Sequence, residues 1–392
     1  MRVPGSKSLT NRALVIAALA RGESTLVGAS ESDDSRHLVT ALGALGFEAS
    51  LDRVVGRGGS IPATSAELAV GNAGTAFRFL TAMVCLGRGS YRLDGDPRMR
   101  ERPIRGLVDA LRALGAAIHY GAADGCPPLT VVAGGLRGGR VRVAGDTSSQ
   151  FVSALLMAAP CASAPVELEV VDAVSRPYIE MTIGVMASFG AQAQVASTGW
   201  RVAAGGYRAQ RYDVEADAAA AGYHFARAAV TGKAVSVEGL GAGCRQPEYR
   251  LVDDLAAMGA RVVKSAGATE VAGGELRGID VDMNDRPDSV QTLAVVALFA
   301  KGRTRIRNVR NLRVKETDRL AALARELAKC GARVVEHADG IEIEPPAVVR
   351  GAEIETYGDH RMAMSFAVVP GATILNPEVV SKSYPGFWRD WS

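Results

Sequence analysis

Cysteine is sparse and poorly placed for crosslinking. Cys85, Cys126, Cys161, Cys244 and Cys330 are odd in number, widely spread and include no C-x-x-C pair. That argues against a disulfide framework and a thiolate zinc site, and it fits a reducing, cytoplasmic setting. An excess of one charge is also missing: 45 Lys and Arg stand against 42 Asp and Glu, a formal net charge of +3. No global basic field therefore points to nucleic acid, and any affinity for anions must come from local placement. Long apolar runs are absent as well. Phe151 to Ala159 and Val290 to Ala300 are too short to cross a bilayer and stop at Pro160 and Lys301, so no membrane partner is expected. Arg12 and the small apolar residues after it imitate a secretory leader, but the same stretch recurs later in the chain as an ordinary core helix. Nucleotide signatures are lacking too: Ser6, not Gly, precedes Lys7, which disfavours a P-loop, and no dinucleotide fingerprint follows a strand.

What the sequence does contain is repetition. At 392 residues two or three domains are expected. Leu38-Val39, Leu42, Leu45 and Gly46 recur as Leu107-Val108, Leu111, Leu114, Gly115 and as Leu251-Val252, Leu255, Met258, Gly259. Weaker copies end at Gly190 and Gly331. Each predicts a helix with one apolar face, closed by a left-handed glycine and followed by a short strand. Between them lies a second helix type, rich in Ala, Leu and Val, at 11–22, 77–89, 150–164, 224–232, 290–302 and 361–371. Six such copies predict six α/β units, grouped three and three into two pseudo-symmetric domains, with the middle boundary between Tyr207 and Glu215.

The unusual polar residues precede this second helix type. They are Pro4-Gly5-Ser6-Lys7-Ser8, Gly71-Asn72-Ala73-Gly74-Thr75, Gly145-Asp146-Thr147-Ser148-Ser149, Glu215-Ala216-Asp217, Asp285-Arg286-Pro287-Asp288-Ser289 and Gly358-Asp359-His360-Arg361. Free N–H groups and the positive end of the helix dipole favour anions there. Any one segment is explained by helix capping. Capping does not call for Lys7, Arg12, Arg78, Arg102 and Arg361 beside the caps, and guanidinium and ammonium groups match phosphates and carboxylates. In Asn311 to Arg319, Lys315 and Arg319 stand one helical turn apart and would repel, which suggests a ligand between them. Glu316 and Asp288 supply a carboxylate pair suited to general acid and base work.

Taken in order, Pro4 to Ser8 with Asn11-Arg12, Gly71 to Arg78, Glu101-Arg102-Pro103-Ile104, Ser148-Ser149-Gln150, Arg313 to Arg319, Asp359-His360-Arg361 and Ser381-Lys382-Ser383 resemble the 5-enolpyruvylshikimate-3-phosphate synthase family along nearly the whole chain. The resemblance implies a two-domain inside-out α/β barrel of six βαβαββ repeats, three per domain. One domain would span 8–215 and the other 1–7 with 216–392, closing over phosphoenolpyruvate and shikimate 3-phosphate. It implies that Lys7, Ser8, Arg12, Ser148, Ser149, Gln150, Ser175, Asp288, Asn311 and Lys315 bind shikimate 3-phosphate, with Arg12 on its carboxylate. Lys7, Gly74, Arg102, Gln150, Arg319, Arg361 and Lys382 would bind phosphoenolpyruvate. Asp288 would take the proton of the 5-hydroxyl, Glu316 would protonate the methylene carbon, and Lys7 would serve both substrates and the leaving phosphate.

No metal and no cofactor are expected, because the cations already neutralise the developing charge. A monomer is expected, with glyphosate as an inhibitor. The related transferase acting on UDP-N-acetylglucosamine is the alternative within this fold, but it usually carries a Cys in the loop matching Asp96 to Pro103, and this chain has none there. The alternative from another class is a non-catalytic phosphometabolite-binding protein, which would gain nothing from Asp288 and Glu316. The chain departs from the family in beginning almost at its first Gly-Ser-Lys motif, in Gly358 where Asn is common, and in Phe79 where Pro is usual. Phe79 is expected to weaken binding of phosphoenolpyruvate analogues such as glyphosate.

Overall fold

The computed structural model describes residues 1–172 and 174–392. The chain divides into two compact units, one of Lys7–Val214 and one of Met1–Ser6 with Glu215–Ser392. The first holds α1 (Lys7–Leu19), α2 (Asp33–Ala44), α3 (Gly74–Val84), α4 (Arg105–Ala113), α5 (Ser149–Ala158) and α6 (Arg176–Ser188). The second holds α7 (Ala218–Thr231), α8 (Leu251–Met258), α9 (Val290–Val296), α10 (Arg319–Lys329), α11 (His360–Phe366) and α12 (Phe387–Trp391).

Two helix classes behave differently because their sequences do. Every residue of α1 from Leu9 to Leu19 is buried, as are all of α9 and α11 and all of α5 except Gln150. Helices without a polar face belong inside, and these form the cores of their units. In α4, by contrast, Leu107, Val108 and Leu111 are buried while Arg105, Asp109 and Arg112 are exposed. The glycines that follow the one-faced helices all have left-handed backbones: φ is 86° at Gly46, 98° at Gly115, 86° at Gly190, 112° at Gly259 and 99° at Gly331. A side chain there would be strained, so these glycines stop the helices and release the chain into the next strand.

Sheets cover the buried helices. In the second repeat Ser65–Ala69 runs parallel to Arg88–Asp94, which pairs antiparallel with Leu129–Gly134, and that strand pairs with Ala117–Tyr120. Leu68 stands opposite Leu93, while the next pair, Glu67 and Arg92, points to the other face. The third repeat copies this order with Gly139–Ala144, Val166–Val171, Gly199–Val202 and Ala193–Ala196. The first repeat is completed by the far end of its own unit, since Tyr207–Arg208 and Arg211–Asp213 lie parallel to Ala20–Val27.

In the second unit only the middle repeat has all four strands, Asp280–Asp282, Thr304–Arg307, Gly340–Glu344 and Arg333–His337. Its neighbours are a three-stranded sheet built on Ala268–Ala272 and the pair Glu353–Ile354 with Thr373–Ile374. Met1 lies beside Val235–Glu238, donating from its amino group to Ser236 O at 2.7 Å and accepting from Glu238 N at 3.0 Å. The buried helices start earlier than the apolar pattern suggests: α1 begins at Lys7 and α3 at Gly74. The polar segments are therefore the first helical turns themselves, with their N–H groups directed at whatever lies ahead of the helix.

Candidate active site

In the Lys7–Val214 unit the starts of α1, α3, α5 and α6 carry the polar groups. Lys7 Nζ lies 2.9 Å from Asp34 Oδ2, with the two side chains 12% and 4% exposed. Arg12 follows Ser8 by one helical turn, so both stand on one face. Arg12 is buried; its Nε donates to Thr182 Oγ1 at 2.7 Å and its Nη1 to Ser8 O at 2.9 Å. At the head of α3, a Cβ added to Gly74 would fall 2.6 Å from Arg102 Nη2, so this guanidinium fills the space a side chain would need. Arg102 Nη1 donates to Asn72 O and Oδ1 at 3.2 and 3.0 Å, while its buried Nε has no hydrogen-bond partner among the described residues. Ser148 caps α5 by accepting from Gln150 N, and Gln150 Nε2 donates to Thr75 Oγ1 at 3.0 Å, tying the start of α5 to that of α3. Ser149 and Ser175 are buried, and Ser175 precedes α6 with a left-handed φ of 53°. That conformation is costly for a residue with a Cβ, and such positions concentrate at functional sites.

In the other unit Asp288 lies in the short 3-10 turn Pro287–Ser289 ahead of α9, Arg319 opens α10, and Asp359 caps α11 by accepting from Arg361 N at 2.9 Å. Asp288 Oδ1 is 3.1 Å from Arg319 Nη1 and 3.8 Å from Lys315 Nζ, and Oδ2 is 2.9 Å from Arg361 Nη2. Burial alone would push the Asp288 carboxyl up, but Arg361, Lys315 and Arg319 outweigh it and hold the group far below the usual carboxylate range. Glu316 Oε2 is 3.0 Å from Arg319 Nη2. Arg319, 1% exposed, is held by Asp359, which is fully buried, through contacts of 2.7 and 3.3 Å. Burial works against its charge, yet Asp359, Glu316 and Asp288 together keep it a firmer cation than a free arginine. Arg361 Nη1 also donates to Tyr223 Oη at 3.2 Å, and burial pushes the Tyr223 hydroxyl up to about 12.

Two acidic groups next to one cation cluster have opposite fates. Glu248 is also buried, and burial, reinforced by the charge of Asp288, pushes its carboxyl up to about 7 from an ordinary 4.5. Between those values the folded protein holds a proton that the unfolded chain has lost, so stability falls as pH rises from 4.5 to 7 and stays low above it. The total is about 3 kcal/mol. Glu248→Gln removes that slope. Urea unfolding should show the variant more stable than the parent at pH 8 and nearly equal to it at pH 4.5; an equal shift at both would mean that Glu248 stays ionised.

The sequence-derived residues fall into two sets. Lys7, Ser8, Arg12, Gly74, Arg102, Ser148, Ser149, Gln150 and Ser175 belong to the first unit; Asp288, Asn311, Lys315, Glu316, Arg319, Arg361 and Lys382 belong to the second. Asp288, Glu316, Lys315, Arg319 and Arg361 come together; Asn311 lies in the 3-10 turn Arg310–Val314 and Lys382 in Pro377–Lys382. The expected repulsion between Lys315 and Arg319 is relieved within the chain, because the Asp288 carboxylate faces both. Sequence reasoning missed Asp34, Thr182, Tyr223 and Glu248. The one available signal was Tyr223-His224 interrupting the alanines of α7.

Comparison with known proteins agrees with this architecture. The family model described as EPSP synthase (3-phosphoshikimate 1-carboxyvinyltransferase) matches residues 1–391. A protein of Shewanella sp. (strain W3-18-1) named 3-phosphoshikimate 1-carboxyvinyltransferase is 46% identical over 411 residues, covering 100% of this chain and 96% of its own. One of the same name from Sulfurovum sp. (strain NBC37-1) is 46% identical over 404 residues, covering 99% and 95%. The solved EPSP synthase from Acinetobacter baumannii superposes with a TM-score of 0.81 at 26% identity, over 99% of this chain and 93% of that one. With a match that spans the chain in sequence and in fold, this protein belongs to the EPSP synthase family, the 3-phosphoshikimate 1-carboxyvinyltransferases.

Proposed function

We propose that the two charged clusters transfer the enolpyruvyl group of phosphoenolpyruvate to the 5-hydroxyl of shikimate 3-phosphate, releasing phosphate, in the pathway to chorismate and the aromatic amino acids. The observation that supports this reading best is the meeting of Asp288 and Glu316 on Arg319, with Arg361 and Lys315 beside them. Substrate anions and catalytic carboxylates would then share one set of cations. Arg319, Arg361, Lys382, Arg102 and Gly74 take phosphoenolpyruvate. Ser148, Ser149, Ser175 and Lys315 take the ring phosphate, Arg12 the ring carboxylate, and Ser8, Gln150 and Asn311 complete the acceptor site. Lys7 serves both substrates.

In the addition step the 5-hydroxyl oxygen bonds to the enol carbon, its proton passes to Asp288, and Glu316 gives a proton to the methylene carbon. In the elimination step the methyl group gives a proton back to the Glu316 carboxylate, the double bond returns as the carbon–oxygen bond to phosphate breaks, and the leaving phosphate carries off the proton held by Asp288. Unliganded, Asp288 is a weak base because three cations surround it. Substrate phosphates and carboxylates share those cations, which raises its basicity when the acceptor is in place. Glyphosate, an anionic small molecule, would compete for the phosphoenolpyruvate cations. Among the described residues no helix is long and apolar enough to cross a membrane; action in the cytoplasm as a monomer is part of the proposal.

Phosphate release with phosphoenolpyruvate and either shikimate 3-phosphate or UDP-N-acetylglucosamine tests the reading. Turnover with the first acceptor is expected, and turnover only with the second would overturn it.

A further inference from the structure

Phe79 lies on α3, one turn past Gly74 and Thr75, and is 1% exposed. Its ring sits against the Arg12 guanidinium of α1, with Arg12 Cζ 5.3 Å from the ring centroid. The nitrogens of that guanidinium also reach Thr182 Oγ1 at 2.7 Å, Ser8 O at 2.9 Å and Tyr178 O at 3.4 Å. Hydrogen bonds from its nitrogens and the ring beneath its central carbon together hold the group in one place. The next repeat uses the same device. Arg78 stands four residues after Gly74 as Arg12 stands four after Ser8; it donates to Gly74 O at 2.9 Å and lies 5.7 Å from the ring centroid of Phe151 on α5. In both repeats an arginine of one buried helix is seated on a phenylalanine of the next.

We propose that Phe79 is a positioning residue for Arg12, and through it a determinant of affinity for the carboxylate-bearing acceptor, not for phosphoenolpyruvate. This rests on the reading that Arg12 binds that carboxylate. An aromatic face attracts a desolvated cation without neutralising it. The charge of Arg12, 2% exposed, is therefore oriented by the ring. Replacing the ring by Leu or Met keeps the position apolar, with some loss of core volume, and removes this attraction.

The test is a kinetic comparison of Phe79→Leu, Phe79→Met, Phe79→Tyr and Arg12→Lys in the full chain. The ring-free variants should raise KM for shikimate 3-phosphate about tenfold, equivalent to about 1.4 kcal/mol. They should leave kcat and KM for phosphoenolpyruvate within about twofold, and Phe79→Tyr should restore the parent value. In the Arg12→Lys background the Phe79→Leu effect should vanish. An unchanged acceptor KM in both ring-free variants, or an equal rise for phosphoenolpyruvate, overturns the positioning role while leaving the function intact. An unchanged acceptor KM in Arg12→Lys overturns the reading of Arg12, and the proposal with it.

Discussion

Asp288→Asn is expected to lower kcat by roughly a thousandfold, the range lost when a general base is removed, while KM for phosphoenolpyruvate stays the same or falls. The direction of the second effect follows from the geometry. Asp288 occupies Arg319 Nη1 at 3.1 Å and Arg361 Nη2 at 2.9 Å, so it competes for the groups proposed to hold phosphoenolpyruvate. An amide competes less, and the cations become better anion receptors. Steady-state kinetics on both substrates separate the cases. If KM rises by the factor that kcat falls, Asp288 holds substrate and is not the base.

The ion pairs of Asp288 also predict a pH effect on stability. Its carboxyl is held far below the usual range in the folded protein, so the stability it contributes is fully present above about pH 4 and is lost as pH falls toward its folded value. The acid side of the stability profile should therefore flatten in Asp288→Asn.

Asp359→Asn is expected to cost about 3–5 kcal/mol of unfolding free energy, the usual penalty for removing one partner of a buried pair. Asp359 is fully buried and Arg319 is 1% exposed, so neither has water to fall back on. Asn can still cap α11, so the loss falls mainly on the Arg319 interaction, with His360 Nδ1 at 3.5 Å the other charged-group contact. Because Arg319 also faces Asp288 and Glu316, the same substitution should raise KM for phosphoenolpyruvate and lower kcat together. Urea unfolding followed by circular dichroism, with kinetics at matched temperature, checks both. A loss below about 1 kcal/mol would mean that the pair is dispensable and that Asp288 and Glu316 are enough to hold Arg319.

The repeat was legible in sequence because it is written locally. The closing glycines Gly46, Gly115, Gly190, Gly259 and Gly331 lie just past their helices in left-handed conformations, and apolar spacing separates the one-faced helices from the buried ones. The identities of Lys7, Arg12, Asp288 and Glu316 came from motif resemblance, and the structure adds the contacts that spacing does not encode. Asp34 reaches Lys7 from the following helix and Tyr223 reaches Arg361 from a helix remote in sequence, while Glu248 is conspicuous only once its burial is known.

Phe79 shows the limit of local reading. Its neighbours in sequence are Gly74 and Thr75, and the packing of its ring on Arg12 of another helix is a contact that spacing along the chain does not encode. One sheet of the second unit leaves little pattern to read, because Glu353–Ile354 and Thr373–Ile374 are only two residues each.

In the proposed mechanism the transfer is an addition followed by an elimination, with a proton delivered to the methylene carbon by Glu316 and removed from the hydroxyl by Asp288. The most direct measurement is to run the transfer in deuterium oxide and analyse the enolpyruvyl methylene of the product by mass spectrometry. Protonation of that carbon followed by loss of one of its hydrogens predicts deuterium in the methylene group. A product carrying only protium there would mean that the double bond is never protonated, and it would contradict the mechanism.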